Sequence, residues 1–342
     1  MSCRLDCQGR PVRALGLTSG GLDSLLALLV VRDQGVEVEA LTFVSPFLQA
    51  DKARQGCQAV GVPLREVDFS SDHIQVVRQP RFGRGANMNP CLDCHVLMFG
   101  LARRIQEEEG FHFIFSGEVL GQRPMSQHRA GLDLVARESG ASQLLLRPLS
   151  AKRLEPTRPE KEGWVDRDRL LDFQGRSRKP QMALAQKYGL TDYPSPAGGC
   201  PLTDPGFSRR LKSLLDLQPG AGAAEMELLR LGRHFHLGQG VKLILGRNQA
   251  ENERLEGLTP RGQAVLKAVG APGPLGLISE PGGRRPQPEA GQERLALAGR
   301  IVLSYSDAAG PRGQVQVQTP EKTQILDLPV EDKAGFREMM IE

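Results

Sequence analysis

The chain lacks any run of the roughly eighteen apolar residues that a membrane-spanning helix needs, and its polar start, MSCRLDCQGR, has no apolar h-region. A soluble, cytoplasmic protein with no membrane attachment is the expectation. It also lacks a marked excess of one charge: 44 Lys and Arg against 40 Asp and Glu leave a net charge of +4. The resulting pI near 8.8 falls short of the strongly basic range of a dedicated nucleic-acid binder, so composition permits RNA without demanding it. Cysteine is scarce, six in 342 residues, which excludes a disulfide scaffold. In a reducing compartment a close Cys-x-x-Cys pair serves metal binding or redox chemistry instead. No internal repeat is present, and no Gly-Lys-Ser/Thr follows a glycine turn, so the chain has no Walker phosphate loop.

The length of 342 residues exceeds that of an ordinary single domain, which predicts two. The small-residue stretch QPGAGAAEM places their boundary at 218/219, giving domains 1–218 and 219–342. In the first domain short apolar runs alternate with helical spacing. RALGLT reads as a strand, SLLALLVVRDQG as a buried helix, VEVEALTFVSP as a strand, DKARQGCQAVGV as a helix and PLREVDF as a strand. CLDCHVLMFGLARRIQEEEG then reads as a helix and FHFIFSGE as a buried strand. Such alternation predicts an α/β fold with a parallel sheet. The second domain reads as smaller and α+β, with RIVLSYSD and GQVQVQT as strands and a Gly/Pro-rich insert around PGGRRPQP.

Between the first strand and helix stands SGGLDS, Ser19 to Ser24. Two adjacent glycines let the backbone approach a ligand closely, and the helix that follows aims free N–H groups at an anion. Ser19 and Ser24 supply hydroxyl donors. Asp23 would repel phosphate unless it holds Mg²⁺ or caps the helix. The order of strand, SGGxDS and helix resembles the PP-loop ATP pyrophosphatase superfamily, matched at Ser19, Gly20, Gly21, Asp23 and Ser24. The resemblance implies a Rossmann-like fold of the adenine nucleotide alpha hydrolase type, ATP and Mg²⁺, and cleavage of ATP to AMP and pyrophosphate. Topology adds Thr42 and Phe43, at the end of the next strand, and Gly117 and Gln122 to the expected nucleotide site.

Cys91 and Cys94 sit at a helix start, and Cys200 follows a distant Gly-Gly loop. If the fold joins them, three thiolates could hold a [4Fe-4S] cluster with one open iron, whereas a structural zinc site wants four ligands. A metal-free alternative has Cys200 carry a persulfide that Cys91 or Cys94 resolves, the helix N-terminus lowering the thiol pKa. Two inert buried thiols are the plainer alternative. His95 could serve either chemistry or simply lie on the helix surface.

NPCLDCH is similar to the NPC-x-x-C-N segment of bacterial tRNA 2-thiouridylases, with Gly199-Cys200 at the place of their second functional cysteine. GEVLGQRPMSQ resembles the GESLGQ-x-x-SQT segment of tRNA 4-thiouridine synthases at Gly117, Gly121, Gln122, Ser126 and Gln127, with MSQH in place of the SQT ending. Together these resemblances imply an ATP-dependent tRNA sulfurtransferase. Its catalytic residues would be Asp23, Cys91 and Cys200, with Asp23 holding magnesium and Cys91, Cys94 and Cys200 the cluster. A cysteine desulfurase or free sulfide would be the sulfur donor. The basic stretch after Leu146 offers Arg147, Lys152, Arg153, Arg158, Arg176, Arg178 and Lys179 as RNA phosphate contacts, solvated charge being the bland alternative. KLILGRNQAENERL resembles the GRN-x-x-x-N segment of an RNA-binding domain found in ribosome quality-control factors, against a charged turn and helix. Two other readings stand beside this one. One is a PP-loop ligase or sulfurtransferase acting on a small molecule; the other is a non-catalytic RNA-binding metal protein.

Overall fold

The computed structural model describes residues 3–191, 193, 200–258, 263–280, 288–319 and 322–341. The chain divides into two compact units, Met1–Cys200 and Pro201–Glu342.

The first unit is built on a parallel sheet of β1 (Arg13–Leu17), β2 (Glu37–Val44), β3 (Leu64–Asp68), β4 (Phe113–Ser116) and β5 (Leu145–Leu146), in the order β3-β2-β1-β4-β5. Its helices are α1 (Leu22–Arg32), α2 (Asp51–Val60), α3 (Ser70–Arg78), α4 (Cys91–Glu108), α5 (Arg129–Glu138), the one-turn α6 (Arg158–Lys161) and α7 (Lys179–Lys187). The central strands are apolar throughout because both faces are covered. Ala14, Phe113 and Phe115 join one core with α1, while Leu15 and Ile114 join the other with Phe99 of α4 and Val135 of α5. Nine of the eleven residues of α1 are buried, which explains its nearly unbroken apolar sequence. At Gly16 of β1 a Cβ would stand 2.5 Å from Leu28 of α1 and from Phe115 of β4, so glycine is what lets that helix close on the sheet.

The chain runs outward from β1 through β2 to β3, then returns to lay β4 and β5 on the other side. The switch point therefore lies between β1 and β4, where a crevice opens beyond the strand C-termini. SGGLDS follows β1 and GEVLGQ follows β4, so both line it.

The second unit carries a six-stranded sheet in the order β11-β10-β8-β9-β7-β6, every pairing antiparallel. The strands are β6 (Arg233–His236), β7 (Lys242–Leu245), β8 (Val265–Val269), β9 (Gly276–Ser279), β10 (Arg312–Gln318) and β11 (Thr323–Pro329). With them come helices α8 (Pro205–Leu217), α9 (Ala223–Leu228), α10 (Gln249–Leu258) and α11 (Pro288–Ser304).

Two readings of this half change. The division falls at 200/201 rather than 218/219, because α8 belongs with the second unit: Arg210 Nε donates to the Leu229 carbonyl at 3.1 Å. RIVLSYSD, expected as a strand, instead ends α11. Ala298, Ile301 and Val302 share one helical face with Tyr305 beyond the helix end, and all four pack into the sheet core. A short apolar run buried on all sides satisfies strand and helix readings alike, and here the preceding residues of the helix decided it. The expected Gly/Pro-rich insert lies largely outside the described residues.

Candidate active site

Local chemistry shapes the phosphate turn. Gly20 has φ +72°, and a Cβ there would stand 2.1 Å from the Lys52 carbonyl oxygen, so no other residue fits. The Thr18 hydroxyl accepts from the Gly20 N–H at 3.1 Å and donates to Ser24 Oγ at 3.0 Å; Ser24 Oγ in turn donates to the Gly21 carbonyl at 2.8 Å. Ser24 is thereby spent on bracing the turn. Gly21 caps α1 without a side-chain bond, so the first amides of the helix keep their N–H groups for a ligand.

Asp23 is oriented from the far side of the crevice. Its Oδ2 accepts from Gln122 Nε2 at 2.6 Å, and Gln122 Oε1 accepts from Gln181 Nε2 at 3.1 Å. Asp23 Oδ1 is buried and has no hydrogen-bond partner. A carboxylate held by one oxygen with the other left over suits a divalent cation, so the residues fit Mg²⁺. Gly117 brings the two loops together, since a Cβ there would lie 2.5 Å from the Asp23 carbonyl oxygen and the Ser24 nitrogen.

Glu118, the next residue, connects this loop to the cysteines. It is 5% exposed. Its Oε2 accepts from Arg147 Nε at 2.8 Å and from Ser116 Oγ at 3.2 Å, while Oε1 meets His95 Nδ1 at 3.0 Å. Burial would raise this carboxyl, but the Arg147 charge and the His95 bond outweigh it and hold it down to about 2. The His95 ring also hydrogen-bonds Cys91; burial opposes its charge, yet Cys91 and Glu118 bring it up to about 9. Burial likewise pushes the Cys91 thiol up, and the His95 bond turns the net shift downward. Arg147, Glu118, His95 and Cys91 thus form one continuous chain.

Cys94 has a histidine of its own. His73 Nε2 lies 3.0 Å from its sulfur, and His73 Nδ1 lies 2.9 Å from Ser45 Oγ. Burial lowers His73 to about 4, so it is neutral at pH 7, and its ring stacks on Phe69. The Cys94 thiol is pushed well up, first by burial and then by the nearby Cys200 and Cys91. The fold therefore draws Cys200 towards the Cys-x-x-Cys pair; residues 194–199, including Gly199, lie outside the described residues. Among the described residues no three His, Cys, Asp or Glu side chains are gathered as metal ligands. As a donor set, three thiols suit an iron–sulfur cluster.

Several expected site residues have other work. Phe43 is core, 5.2 Å from the Phe69 ring, and Thr42 is buried within β2, short of the strand end. Arg147, expected against RNA, is buried in its pair with Glu118 and donates to the Leu132 carbonyl as well. A basic residue in a polar segment looks exposed in sequence; only the fold supplies its buried carboxylate. Lys152, Arg153, Arg158, Arg176 and Lys179 are exposed, though Lys152 donates to the Asp168 carbonyl and Arg153 and Arg158 pair with Asp172 and Glu162. Arg178 is half-buried, and its Nε has no hydrogen-bond partner. Glu118, Gln181 and His73 are site residues that the reading of the sequence missed. Glu118 at least stood inside GEVLGQ, whereas Gln181 and His73 carried no local signal.

In the second unit the GRN-x-x-x-N residues serve the fold. Asn248 Oδ1 caps α10 by accepting from Glu251 N at 2.9 Å, and Arg247 pairs with Glu251. Asn252 Oδ1 accepts from Leu275 N at 3.0 Å, in space left by Gly246.

Residues 9–153 match the family described as thiamine biosynthesis protein (ThiI). The first unit thus has the parallel-sheet fold expected of a PP-loop domain, and its sequence is similar to proteins of the tRNA-thiolating branch. Residues 232–333 match the family described as NFACT protein RNA binding domain. The chain is 31% identical over 160 residues to a probable tRNA sulfurtransferase of Thermotoga maritima, covering 43% of this chain and 40% of that one. It is 26% identical over 245 residues to the tRNA-specific 2-thiouridylase MnmA of Pseudomonas putida, covering 64% and 59%. The chain thus spans about half the length of these relatives. A solved 4-thiouridine synthetase–RNA complex with bound ATP aligns at 25% identity and a TM-score of 0.34, over 52% of this chain and 51% of that one. Among the described residues no helix is long and apolar enough to cross a membrane.

Proposed function

We propose that the chain is an ATP-dependent tRNA sulfurtransferase that adenylylates a uracil carbonyl and replaces its oxygen with sulfur. The observation that carries this reading is the joining of the SGGLDS turn to the cysteines through one loop: Gly117 packs on Asp23, and Glu118 next to it holds His95 against Cys91. Two chemistries that a thiolase must run in succession meet on one sheet edge.

Backbone N–H groups at the start of α1 would hold the phosphates of ATP, and Asp23 would hold Mg²⁺, which when bound neutralises charge on the departing pyrophosphate. The uracil oxygen attacks the α-phosphorus as the bond to pyrophosphate breaks. A Cys200 persulfide then adds its terminal sulfur to the activated carbon, and AMP leaves with the former carbonyl oxygen. Attack of the Cys91 thiolate on the inner sulfur, that of Cys200, releases the thiocarbonyl and leaves a Cys91–Cys200 disulfide, which an external dithiol reduces. The electropositive setting of Cys91 supports that assignment. RNA would be held by exposed cations, foremost Arg176 and Lys179, and by the second unit. The persulfide sulfur would come from a cysteine desulfurase or a similar donor.

A [4Fe-4S] cluster on Cys91, Cys94 and Cys200 is the second reading, favoured by the closeness of Cys200 and Cys91 to Cys94. Anaerobic purification with iron analysis and visible spectra separates the two, because the persulfide route needs no iron. The function itself is tested by mass spectrometry of tRNA nucleosides from cells lacking the protein. A missing thionucleoside is expected, and an unchanged set sinks the proposal in favour of a small-molecule substrate.

A further inference from the structure

The second unit contains a basic cluster in which two buried side-chain atoms are left without a hydrogen bond. His234 and His236 of β6 share a sheet face with Lys242 of β7, which stands opposite His236 in the ladder; Phe235 and Leu243 occupy the other, apolar face. Lys242 is 5% exposed and His234 1%, yet Lys242 Nζ and His234 Nδ1 have no hydrogen-bond partner. Arg210 of α8 and Lys242 both press on the His234 ring electrostatically. The carboxylate acting on Lys242 is Asp216, itself exposed and not hydrogen-bonded to it. A buried ammonium without a hydrogen bond costs several kcal/mol, so its retention needs a reason.

The two unsatisfied atoms ask for different things. His234 Nε2 lies 3.0 Å from the Leu231 carbonyl, and the Leu228 carbonyl also acts on the ring; a carbonyl can only accept, so Nε2, the nitrogen with the hydrogen bond, carries the ring proton. Nδ1 is then a lone pair seeking a donor, whereas Lys242 Nζ is a cation seeking an anionic acceptor. Burial first, then the neighbouring cations, hold the ring neutral down to about pH 3, so protonation does not resolve the demand. The complementary ligand presents an anionic oxygen and a hydroxyl on one small centre. Monohydrogen phosphate and the monoanion of a phosphomonoester have both; chloride and a phosphodiester have no hydroxyl.

We propose that Lys242, His234 and Arg210 form an oxyanion site in the second unit, built for a phosphate that carries an ionisable hydroxyl, either free or at the end of a nucleotide chain. His236, across from Lys242 in the ladder, is the exposed member of this face. The site is made of second-unit residues alone, and the proposal holds whether or not that unit binds RNA.

The test is a titration of the full chain, followed through the His234 ring nitrogens by NMR, with four probes at matched ionic strength. These are inorganic phosphate, an RNA oligonucleotide with a 5′-phosphate, the same oligonucleotide with a 5′-hydroxyl, and chloride. A saturable shift with inorganic phosphate is expected, weakened about tenfold or more in Lys242→Met and retained in Lys242→Arg. Competition by the 5′-phosphorylated oligonucleotide alone identifies a chain end as the source; response to inorganic phosphate alone identifies the free ion. No response to either, an equal response to the 5′-hydroxyl oligonucleotide or chloride, or an unchanged response in Lys242→Met overturns the proposal. If Lys242→Met does not fold, the wild-type titration decides by itself.

Discussion

Asp23 is a half-buried and Glu118 a buried carboxylate, each within a few residues of a glycine, and their surroundings give them opposite tasks. Asp23 keeps one oxygen unclaimed, whereas Glu118 is held on both sides by charge and hydrogen bonds. Asp23→Asn keeps the size of the side chain and removes its charge. Pyrophosphate release should fall by about a hundredfold or more, with the far-ultraviolet circular dichroism unchanged. Arg147→Met leaves Glu118 without its guanidinium and should cost about 3–5 kcal/mol in urea unfolding. An RNA contact at Arg147 would instead weaken binding and spare stability. The Glu118 carboxyl sits near 2 in the folded chain against an ordinary 4.5, so the unfolded chain binds more protons between those values. Its contribution is present above about pH 4.5 and lost as pH falls towards 2. Urea midpoints measured down this window should drop more steeply for the wild type than for Glu118→Gln.

At the scale of elements, β1 to β4 and the helices α1, α2 and α4 were legible because their sequences carry one period each, bounded by glycine or proline, whereas α3 was not read. The end of α11 was not, since Ile301 and Val302 are buried among residues that only the fold brings near them. Ile301→Ala should cost about 2–5 kcal/mol, read as a lower urea midpoint for a probe placed in the second unit. Elements also meet where two loops must touch. Gly117→Ala would press its Cβ against the Asp23 backbone at 2.5 Å, so either the turn or the loop must shift. Expected are a loss of about 1–3 kcal/mol and a raised KM for ATP, measured by steady-state pyrophosphate release. An unchanged KM would place the phosphate site elsewhere.

For the whole molecule, a net charge of +4 spread over two units leaves RNA affinity to local clusters of cations. Binding should weaken with salt, and removing Arg176 or Lys179 should lower the slope of log K against log salt by about one for each phosphate no longer neutralised. A salt-independent Kd would remove RNA from the reading. The second unit enters this picture in two ways. Its GRN-x-x-x-N residues are largely spent on capping α10 and pinning Leu275, while the burial of Lys242 beside half-buried Arg210 was invisible in the sequence.

The sequence alone determined the α/β order of the first unit, the phosphate turn and the candidate thiols, because each rests on local chemistry: a period, a glycine conformation, a spacing of cysteines. Tertiary structure decided which charges are free. It buried Arg147 against Glu118, gave each of Cys91 and Cys94 its own histidine, turned Phe43 into core, and left Asp23 Oδ1 and Lys242 Nζ without partners. Burial and pairing are properties of residues far apart in the chain, and their energies exist only once the chain has folded.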